Sequence, residues 1–431
     1  MKKILLILIL SVNIFAGTKA NAQSWDTLNS GFSGVVNTIA EYNGMLYAGG
    51  NFQYDGYHLD QINHIGKWNG AYWSTPNIGI DSNVYALFVY NDTLYAGGAF
   101  STAGGSPANN IAKWDGLSWS AVGSGMNGIV YSIVEYNDTL YAAGEFSMAG
   151  GTAANNIAKW NGTTWTALGL GINGRVNALA VYHDSLFVGG EFTGAGGSPA
   201  NYIAKWKGST WSNLGIGTGD DVHALAVHNG ELYVGGLFAI PGNNFAKWNG
   251  SAWTGYSVNG KVSTFTVFEN ELYLGGDFLA GGNFIAKWDG SSFSAVGSGV
   301  NSFVNSLATY NGALYAGGDF QNSGLAPTRR IAKWTATNGI KDETDTEEGH
   351  ILIYPNPVSD LFTIETEFKQ NENLEILLSN VLGQTVMQIE QAVVINGIYT
   401  KSINITQLPD GMYFLSVKTD GNLTTKKIIK N

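Results

Sequence analysis

Residues Trp119 to Trp160 read WSAVGSGMNGIVYSIVEYNDTLYAAGEFSMAGGTAANNIAKW. Short runs of β-branched and aromatic residues alternate with polar ones, and turn-forming residues separate the runs, a pattern typical of β-strands. The segment predicts four strands: Trp119 to Val122, Val130 to Tyr136, Leu140 to Phe146, and a last strand that ends at Trp160. Asn137-Asp138, between the second and third strands, predicts a tight hairpin turn. One segment of this kind therefore supplies four short antiparallel strands.

The same segment recurs along the chain, and tryptophans mark its period. Seven of the 13 tryptophans follow a lysine: Trp68, Trp114, Trp160, Trp206, Trp248, Trp288 and Trp334. The other six begin the next short strand, with Phe293 in the seventh such place: Trp25, Trp73, Trp119, Trp165, Trp211 and Trp253. A third marker, LYAGG and its variants, recurs every 40 to 48 residues from Leu46 to Leu314. Four strands per repeat of this length are typical of the blades of a β-propeller.

The order of the markers predicts how the array ends. A tryptophan of the strand-opening kind occurs at Trp25, before the first complete set, and has no counterpart after Trp334. We therefore expect the strand at Trp25 to complete the unit from Val304 to Trp334, because pairing the two ends removes exposed sheet edges. The sequence predicts an all-β protein with a seven-bladed β-propeller over residues 23–337, closed by its N-terminal strand.

The repeat resembles that of the kelch-type propellers, whose units also carry a glycine pair at the end of one strand and a tryptophan downstream. The resemblance covers about residues 23–337 and departs at Ala143, which replaces one glycine of the third pair. Kelch-type rings include enzymes, protein-binding modules and scaffolds, so the resemblance implies a fold without assigning a function.

The first 22 residues predict a signal peptide. Lys2 and Lys3 precede an apolar run from Ile4 to Phe15, and Ala20-Asn21-Ala22 forms a small-residue cleavage site. Cleavage between Ala22 and Gln23 would leave a mature chain without a transmembrane segment, since no later apolar run approaches the ~20 residues that a span requires. The chain has no cysteine, so we expect its core, and not disulfides, to stabilise it.

A change of composition after Trp334 predicts a second domain. Residues 338–350 hold five acidic side chains without apolar periodicity, which is typical of a solvated linker. Residues 351–431 contain short alternating strands, such as Leu361 to Thr366 and Met412 to Val417, and predict a small β-sandwich.

Several phrases of this second domain resemble the type A C-terminal sorting domain of type IX secretion cargo from Gram-negative bacteria. They are Tyr354-Pro355-Asn356-Pro357, Ser379 to Thr385, LPDGMYFL from Leu408 to Leu415 with Gly411 and Tyr413, and a closing strand with Lys426 and Lys427. The resemblance implies that the type IX secretion machinery is a partner. It also implies export through the periplasm and across the outer membrane to the cell surface or the extracellular space.

The charge balance excludes several other partners. The chain has 33 acidic against 22 basic side chains and a net charge of −11 at pH 7. Without a basic cluster, such a chain is not expected to bind nucleic acid or an anionic membrane. No serine-nucleophile, phosphate-binding or dinucleotide-binding motif stands in a fitting context, so we expect no catalytic constellation and no cofactor.

The repeat is most irregular between Phe52 and Trp68, and we expect a ligand there because long loops usually form the binding face of such a fold. The candidate binding residues are Tyr54, Asp55, Tyr57, His58, Asp60 and His64. Aromatic and carboxylate side chains together can stack on and hydrogen-bond a sugar or a peptide. The alternative is a solvated loop that fills the junction where the ring closes. His58 and His64 lie on a loop with no defined geometry, so no metal site is predicted.

Two further clusters are weaker candidates. Asp220-Asp221 with His223 precedes a strand of the fifth repeat and is interpreted as loop polarity with one ring-facing histidine. Four acidic residues share one register after the glycine pairs and could form an acidic arc: Glu145, Glu191, Asp277 and Asp319. The lysines that precede the tryptophans offer these acids cross-strand partners, so we interpret them as blade structure.

Three functions remain open. A binding or adhesion module for an extracellular glycan or protein, displayed on the cell surface or released, fits the export signals and the regular repeats. An extracellular enzyme that acts on polysaccharide, with acids over the central channel, is the first alternative. A purely structural surface protein is the second.

Overall fold

The computed structural model describes residues 24–29, 31–56, 60–324, 326–335, 352–354, 358, 360–368, 372–380, 384–394, 397–419 and 423–430. Within these ranges the chain is all-β, with strands, turns and loops and no helix, and hence no helix that could span a membrane. The chain divides into two compact units, Met1–Ala336 and Thr337–Asn431. The predicted signal peptide (1–22) with its cleavage site, and the predicted linker (338–350), lie outside the described residues.

The first unit contains seven four-stranded antiparallel sheets, which we number 1 to 7 in the order of their first strands. The first strands are Val35–Tyr42, Val84–Tyr90, Ile129–Glu135, Arg175–Val181, Val222–His228, Lys261–Phe268 and Val304–Tyr310. The second strands are Met45–Asn51, Thr93–Gly98, Leu140–Glu145, Leu186–Glu191, Glu231–Gly236, Glu271–Asp277 and Ala313–Gly318. The third strands are Ile65–Trp68, Ile111–Trp114, Ile157–Trp160, Ile203–Lys207, Asn244–Trp248, Ile285–Trp288 and Ile331–Thr335. The fourth strands are Trp73–Ser74, Trp119–Ala121, Trp165–Ala167, Thr210–Asn213, Trp253–Ser257, Phe293–Ala295 and, for sheet 7, Ser24–Thr27.

The fourth strand of sheet 7 comes from the opposite end of the unit. Ser24–Thr27 pairs antiparallel with Ile331–Thr335, and Trp25 stands opposite Trp334. Elsewhere the fourth strand is the one that follows directly in sequence. The last repeat therefore obtains its outer strand from the N-terminal side of the first repeat.

The glycine pairs that end the second strands let neighbouring sheets approach closely. A Cβ atom at Gly97 of sheet 2 would lie 2.6 Å from Cγ1 of Val130 in sheet 3, so only the smallest side chains fit at this position. The same relation joins sheet 7 to sheet 1, where a Cβ at Gly317 would lie 2.4 Å from Cγ1 of Val36. In sheet 3 this position is occupied by Ala143, whose methyl group is fully buried.

The tryptophans of the fourth strands also join neighbouring sheets. The indole Nε1 of Trp165 donates a hydrogen bond to Val122 O at 2.9 Å, and that of Trp25 donates to Val296 O at 2.9 Å. Trp165 packs on Trp160 of its own sheet, with ring centroids 5.2 Å apart. Trp165 and Trp25 are each 5% exposed, so these rings are packing elements and not a platform on which a sugar could stack.

The loops between second and third strands differ among the sheets. In sheets 2, 3, 4 and 7 this loop carries a small hairpin: Thr102–Ala103 with Ser106–Pro107, Met148–Ala149 with Thr152–Ala153, Gly194–Ala195 with Ser198–Pro199, and Asn322–Ser323 with Ala326–Pro327. In sheets 5 and 6 the loops are shorter, residues 237–243 and 278–284, and no such hairpin forms in them.

The second unit is formed by two antiparallel sheets. One consists of Leu352–Tyr354, Leu361–Phe368 and Gly397–Asn404. The other has the order Thr385–Val394, Glu372–Asn380, Gly411–Lys418 and Leu423–Lys430. Phe362 from the first sheet and Ile376 and Leu415 from the second belong to one buried apolar cluster. Two sheets that share such a core have the arrangement of a small β-sandwich.

Candidate functional site

The predicted loop of sheet 1 exposes only some of its candidate side chains. Tyr54 is 39% exposed and Asp60 is exposed, so both can reach a ligand. Tyr57 and His58 lie outside the described residues. Of the four candidates that the structure describes, two are thus accessible.

Asp55 and His64 are built into this loop. Asp55 is 4% exposed, and its Oδ1 accepts a hydrogen bond from the backbone N of Asp60 at 3.2 Å, which stabilises the turn between them. His64 is 7% exposed, and its backbone N donates to Phe52 O at 2.7 Å. Burial lowers the pKa of His64, partly opposed by its contact with Gly50 O, so the imidazole remains neutral at pH 7. Both residues support the loop.

The backbone position of His64 recurs in every sheet, although its side chain is buried only in sheet 1. It is a left-handed residue just before the third strand, with a φ of 64° in sheet 1. The equivalent residues, all with positive φ, are Asn110, Asn156, Tyr202, Asn244, Phe284 and Arg330. Each donates its backbone N–H to the carbonyl of a phenylalanine that follows the second strand of its sheet, at 2.7 or 2.8 Å. His64 is therefore the first sheet's version of a structural position.

The loop of sheet 1 is also tied to sheet 7. The Nη1 atoms of Arg329 and Arg330 donate hydrogen bonds to the carbonyls of Gly56 and Ser33, respectively. Gly56 N donates to Gly31 O at 3.0 Å. The extra length of this loop thus fills the junction between the first and the last sheet.

The expectation that lysines pair with the acids after the glycine pairs is wrong. Glu191 lies 3.3 Å from Arg175, which stands opposite it in the same sheet. Lysines instead pair with acids at the start of the second strand, as Lys247 does with Glu231 at 2.8 Å. The register explains this difference, because Lys247 stands opposite Tyr233, two residues along the same face from Glu231.

The first strand of every sheet has a buried valine at or next to its first residue, and a polar residue follows it directly. We call these seven polar residues the row. Its members are Asn37, Tyr85, Tyr131, Asn177, His223, Ser263 and Asn305, and all are partly buried. Asn37 and Asn177 donate their Nδ2 hydrogens to the carbonyls of Val84 and Val222 in the next sheet, at 3.1 and 3.0 Å. The row therefore crosses adjacent sheets and presents phenol, amide, imidazole and hydroxyl groups, which can both donate and accept hydrogen bonds.

Aromatic and charged side chains gather on this row in sheets 2 to 4. The rings of Tyr85 and Tyr131 have centroids 5.1 Å apart, and Cζ of Arg175 lies 4.0 Å from the centroid of Tyr131. This geometry is that of a cation–π contact. Oε1 of Glu191 lies 3.3 Å from Nη1 of Arg175 and accepts a hydrogen bond from Nδ2 of Asn177 at 3.3 Å.

Sheet 5 adds two titratable groups with shifted pKa values. Burial, together with the carboxylates of Glu191 and Asp220, raises the pKa of Asp221 to about 6. Burial and the ammonium group of Lys261 lower the pKa of His223 to about 4. At pH 7 His223 is neutral and Asp221 is ionised in surroundings that oppose its charge. A cation placed beside Asp221 would therefore be stabilised.

We call six of these residues the inner cluster: Tyr85, Tyr131, Arg175, Glu191, Asp221 and His223. Two polar atoms at this cluster, Arg175 Nε and Asn177 Oδ1, are buried without a hydrogen-bond partner among the described residues. In the part of the chain that the structure describes, no group of three or more His, Asp or Glu side chains is arranged to hold a metal ion.

The sequence pointed to only part of the inner cluster. Glu191, Asp221 and His223 were singled out as separate features, and Tyr85, Tyr131 and Arg175 were missed. The missed signal lies in the repeats themselves, because two tyrosines occupy a place that other units fill with Asn, His or Ser.

An open groove of about 530 Å³ lies where the loops of sheets 5 and 6 are short. Asp220, the neighbour of Asp221 in sequence, is part of its lining, as are Leu237, Val258 and Asn259. Asp220 therefore belongs to the groove and is also one of the carboxylates that act on Asp221.

In the second unit, the predicted sorting residues lie at strand ends and on the last two strands. Tyr354 ends the strand Leu352–Tyr354, and Pro355, Asn356 and Pro357 follow it outside the described residues. Gly411 begins Gly411–Lys418, in which Tyr413 is 6% exposed and donates its hydroxyl to Pro409 O at 2.7 Å. Lys426 and Lys427 lie in the last strand, opposite Leu415 and Phe414.

Residues 352–431 match the family of secretion system C-terminal sorting domains. This domain marks proteins that the type IX secretion system exports across the outer membrane. The chain is therefore exported to the cell surface or the extracellular space, and its tail interacts with the type IX secretion machinery. No curated protein matches the chain.

Among solved structures, the chain is similar to a chain of the mitotic checkpoint complex at 14% identity, with a TM-score of 0.49, covering 78% of this chain and 99% of that one. It is similar to PorZ, a surface component of the type IX secretion system of Porphyromonas gingivalis, at 13% identity, with a TM-score of 0.29 and coverage of 91% and 51%. It is also similar to an arabinoxylan arabinofuranohydrolase of glycoside hydrolase family 43 from Bacillus subtilis, in complex with cellotetraose, at 11% identity, with a TM-score of 0.29 and coverage of 93% and 96%. Likenesses this distant assign no function.

Proposed function

We propose that this exported protein is a binding or adhesion module whose first unit is a kelch-like, seven-bladed β-propeller closed by its N-terminal strand. The seven four-stranded sheets would be the blades. A ring is supported by the contact of Gly317 with Val36 and by a 3.0 Å hydrogen bond from Ile39 N to Ser306 Oγ, because both join sheet 7 to sheet 1. The ligand would be an extracellular glycan or protein.

The inner cluster is the observation that carries the binding function. In a closed ring the first strands of the blades surround the central channel, so Tyr85 and Tyr131 would face it. The buried, unpartnered Arg175 Nε and Asn177 Oδ1 are groups that a polar ligand could satisfy. A site with adjacent aromatic rings and mixed hydrogen-bonding groups, without a reactive nucleophile, favours binding over chemistry.

The test is binding of the purified mature chain to an array of glycans and extracellular proteins. We expect Tyr131→Ala and Arg175→Ala to weaken the strongest interaction about tenfold or more, because buried aromatic and arginine anchors dominate binding energy. Tyr54→Ala is the matched control, since Tyr54 is an accessible tyrosine of the loop first predicted as the site. If only Tyr54→Ala weakens binding, the ligand site is that loop, with Asp60, Tyr57 and His58. If no variant has an effect, neither site binds the ligand.

A second function, hydrolysis of an extracellular polysaccharide, is favoured by one observation. The carboxyl of Asp221, whose pKa is raised to about 6, neighbours that of Glu191. Glycosidases use a carboxyl group that can hold a proton beside a second carboxylate. Release of reducing sugar by the mature chain, abolished by both Asp221→Asn and Glu191→Gln, would support an enzyme.

We also propose the remaining domain boundaries. Residues 1–22 would be a signal peptide removed between Ala22 and Gln23, and residues 338–350 would be an acidic linker that connects the two units. Sequencing the N-terminus of the exported protein tests the cleavage site directly.

A further inference from the structure

The groove between sheets 5 and 6 has an equivalent in sheet 3, but the loop beside it is held differently. In sheet 3, Oδ1 of Asn127 accepts hydrogen bonds from the backbone N atoms of Ser147 and Met148, at 3.0 and 2.8 Å, and so holds the small hairpin of that sheet. Gly219 has the equivalent place in sheet 5, and its N–H donates to Ile240 O at 2.8 Å. A Cβ at Gly219 would lie 2.6 Å from Cγ1 of Ile240, so a larger residue there would displace this exposed side chain.

The surface of this groove is aliphatic. Leu237, in its lining, is 50% exposed. Ile240 and Leu279, which bond to groove residues through their backbones, are 55% and 57% exposed. Phe238 also lines the groove but is only 3% exposed. Exposed aliphatic side chains without an accessible ring suit the aliphatic side chains of a peptide better than a sugar, which prefers an aromatic face.

One end of the groove is acidic. Asp220 is exposed in the lining, and the carboxyl of Asp221 interacts unfavourably with those of Asp220 and Glu191. Of the nearby cations, Arg175 pairs with Glu191, and Lys261 stands opposite another acid, Asp277, in its own sheet. A positively charged group of a ligand is therefore the complement of this end.

We propose that the groove binds an extended peptide segment of an extracellular protein. Aliphatic side chains of the peptide would pack on Leu237, Ile240 and Leu279. A lysine or arginine of the peptide would interact with Asp220 and Asp221. This inference rests on the proposed binding function and names the partner for it. The equivalent groove of sheet 3 has a similar volume, about 520 Å³, but carries the carboxylate of Glu145 where this groove has the aliphatic side chain of Leu237.

The experiment measures fluorescence anisotropy of a labelled, end-blocked hexapeptide of alternating leucine and lysine with the full mature chain at 0.15 M salt. We expect the peptide to bind about tenfold more tightly than its leucine–glutamine analogue, because the acidic end of the groove distinguishes them. Asp220→Asn should remove most of that preference. Ile240→Ser should weaken binding several-fold, while the matched surface variant Met148→Ser, at the equivalent place in sheet 3, leaves it unchanged.

The pH dependence supplies an independent readout. Affinity for the lysine peptide should rise between pH 5 and pH 7, because Asp221 becomes ionised over this range, and Asp221→Asn should flatten the rise. Glu191, Asp220, Arg175, His223 and Lys261 face the same space, and of these His223 stays neutral throughout. The glutamine analogue provides the baseline.

Four outcomes are decisive. Equal binding of the two peptides, or equal effects of Ile240→Ser and Met148→Ser, would overturn the inference. Glycan binding that depends on Tyr131 and Arg175, without peptide binding, would overturn the inference and leave the proposed binding function intact. Failure of every glycan, protein and peptide to bind would overturn both.

Discussion

Asp221 is the residue at which stability and function conflict. Its carboxyl lies near those of Glu191 and Asp220, and its pKa is raised to about 6. An acid whose pKa is higher in the folded than in the unfolded state stabilises the fold while it is protonated. That contribution is complete below the unfolded pKa, near 4, and disappears as the pH rises through the folded value. The folded protein therefore keeps an unfavourable charge at neutral pH, which is typical of a residue retained for binding.

We predict that Asp221→Asn stabilises the free protein at pH 7.5. The gain should be about 1 kcal/mol, allowing for solvent screening of a partly exposed group, and it should vanish near pH 4, where the wild-type carboxyl is protonated. Thermal unfolding at both pH values measures it. Asp138→Asn, which removes one exposed carboxylate from a hairpin, is the control. A gain of equal size at pH 4 and pH 7.5 would contradict the argument.

Single residues also show where sequence reasoning stops. The Phe52–Trp68 loop attracts attention because its composition is unusual, yet His64 and Asp55 are buried there for local structural reasons. Tyr85, Tyr131 and Arg175 come from three different repeats, and only the packing of adjacent first strands brings them together. Composition identifies an irregular loop, whereas a site assembled across repeats requires the register of every sheet.

At the scale of the sheets, the repeated markers predict much more. The four strands of each unit and the partner of the Trp25 strand follow from the order of tryptophans and glycine pairs, because each marker has one fixed packing role. The loops are less predictable. The hairpins of sheets 2, 3, 4 and 7 comprise two residues per strand, which is too short for a periodic signal.

The contact between sheets 7 and 1 provides a test of ring closure. A valine at Gly317 would overlap Val36, as a valine at Gly97 would overlap Val130. We predict that Gly317→Val and Gly97→Val lower the free energy of unfolding by similar amounts, about 1–3 kcal/mol, because both overpack a junction between sheets. Chemical denaturation of each variant measures the loss. If Gly97→Val is costly and Gly317→Val is neutral, the sheets form an open array.

At the scale of the whole molecule, the proposed binding site and the sorting tail lie in different units. The first unit carries the inner cluster and the groove, whereas the sorting family matches only residues 352–431. Each unit has its own buried core, so removing the second leaves the core of the first intact. Delivery can thus be eliminated without unfolding the first unit.

We therefore predict that deletion of residues 351–431 traps the protein in the periplasm, since the tail is what interacts with the type IX secretion machinery. Fractionation of cells into periplasm, outer membrane and medium measures the result. The full chain should be found at the surface or in the medium and the truncated chain almost entirely in the periplasm, folded and with the inner cluster still able to bind its ligand. The full chain carrying Tyr131→Ala is the control, because it alters the proposed ligand site and should still be delivered. Normal surface delivery of the truncated chain would mean that its export depends on residues other than the tail.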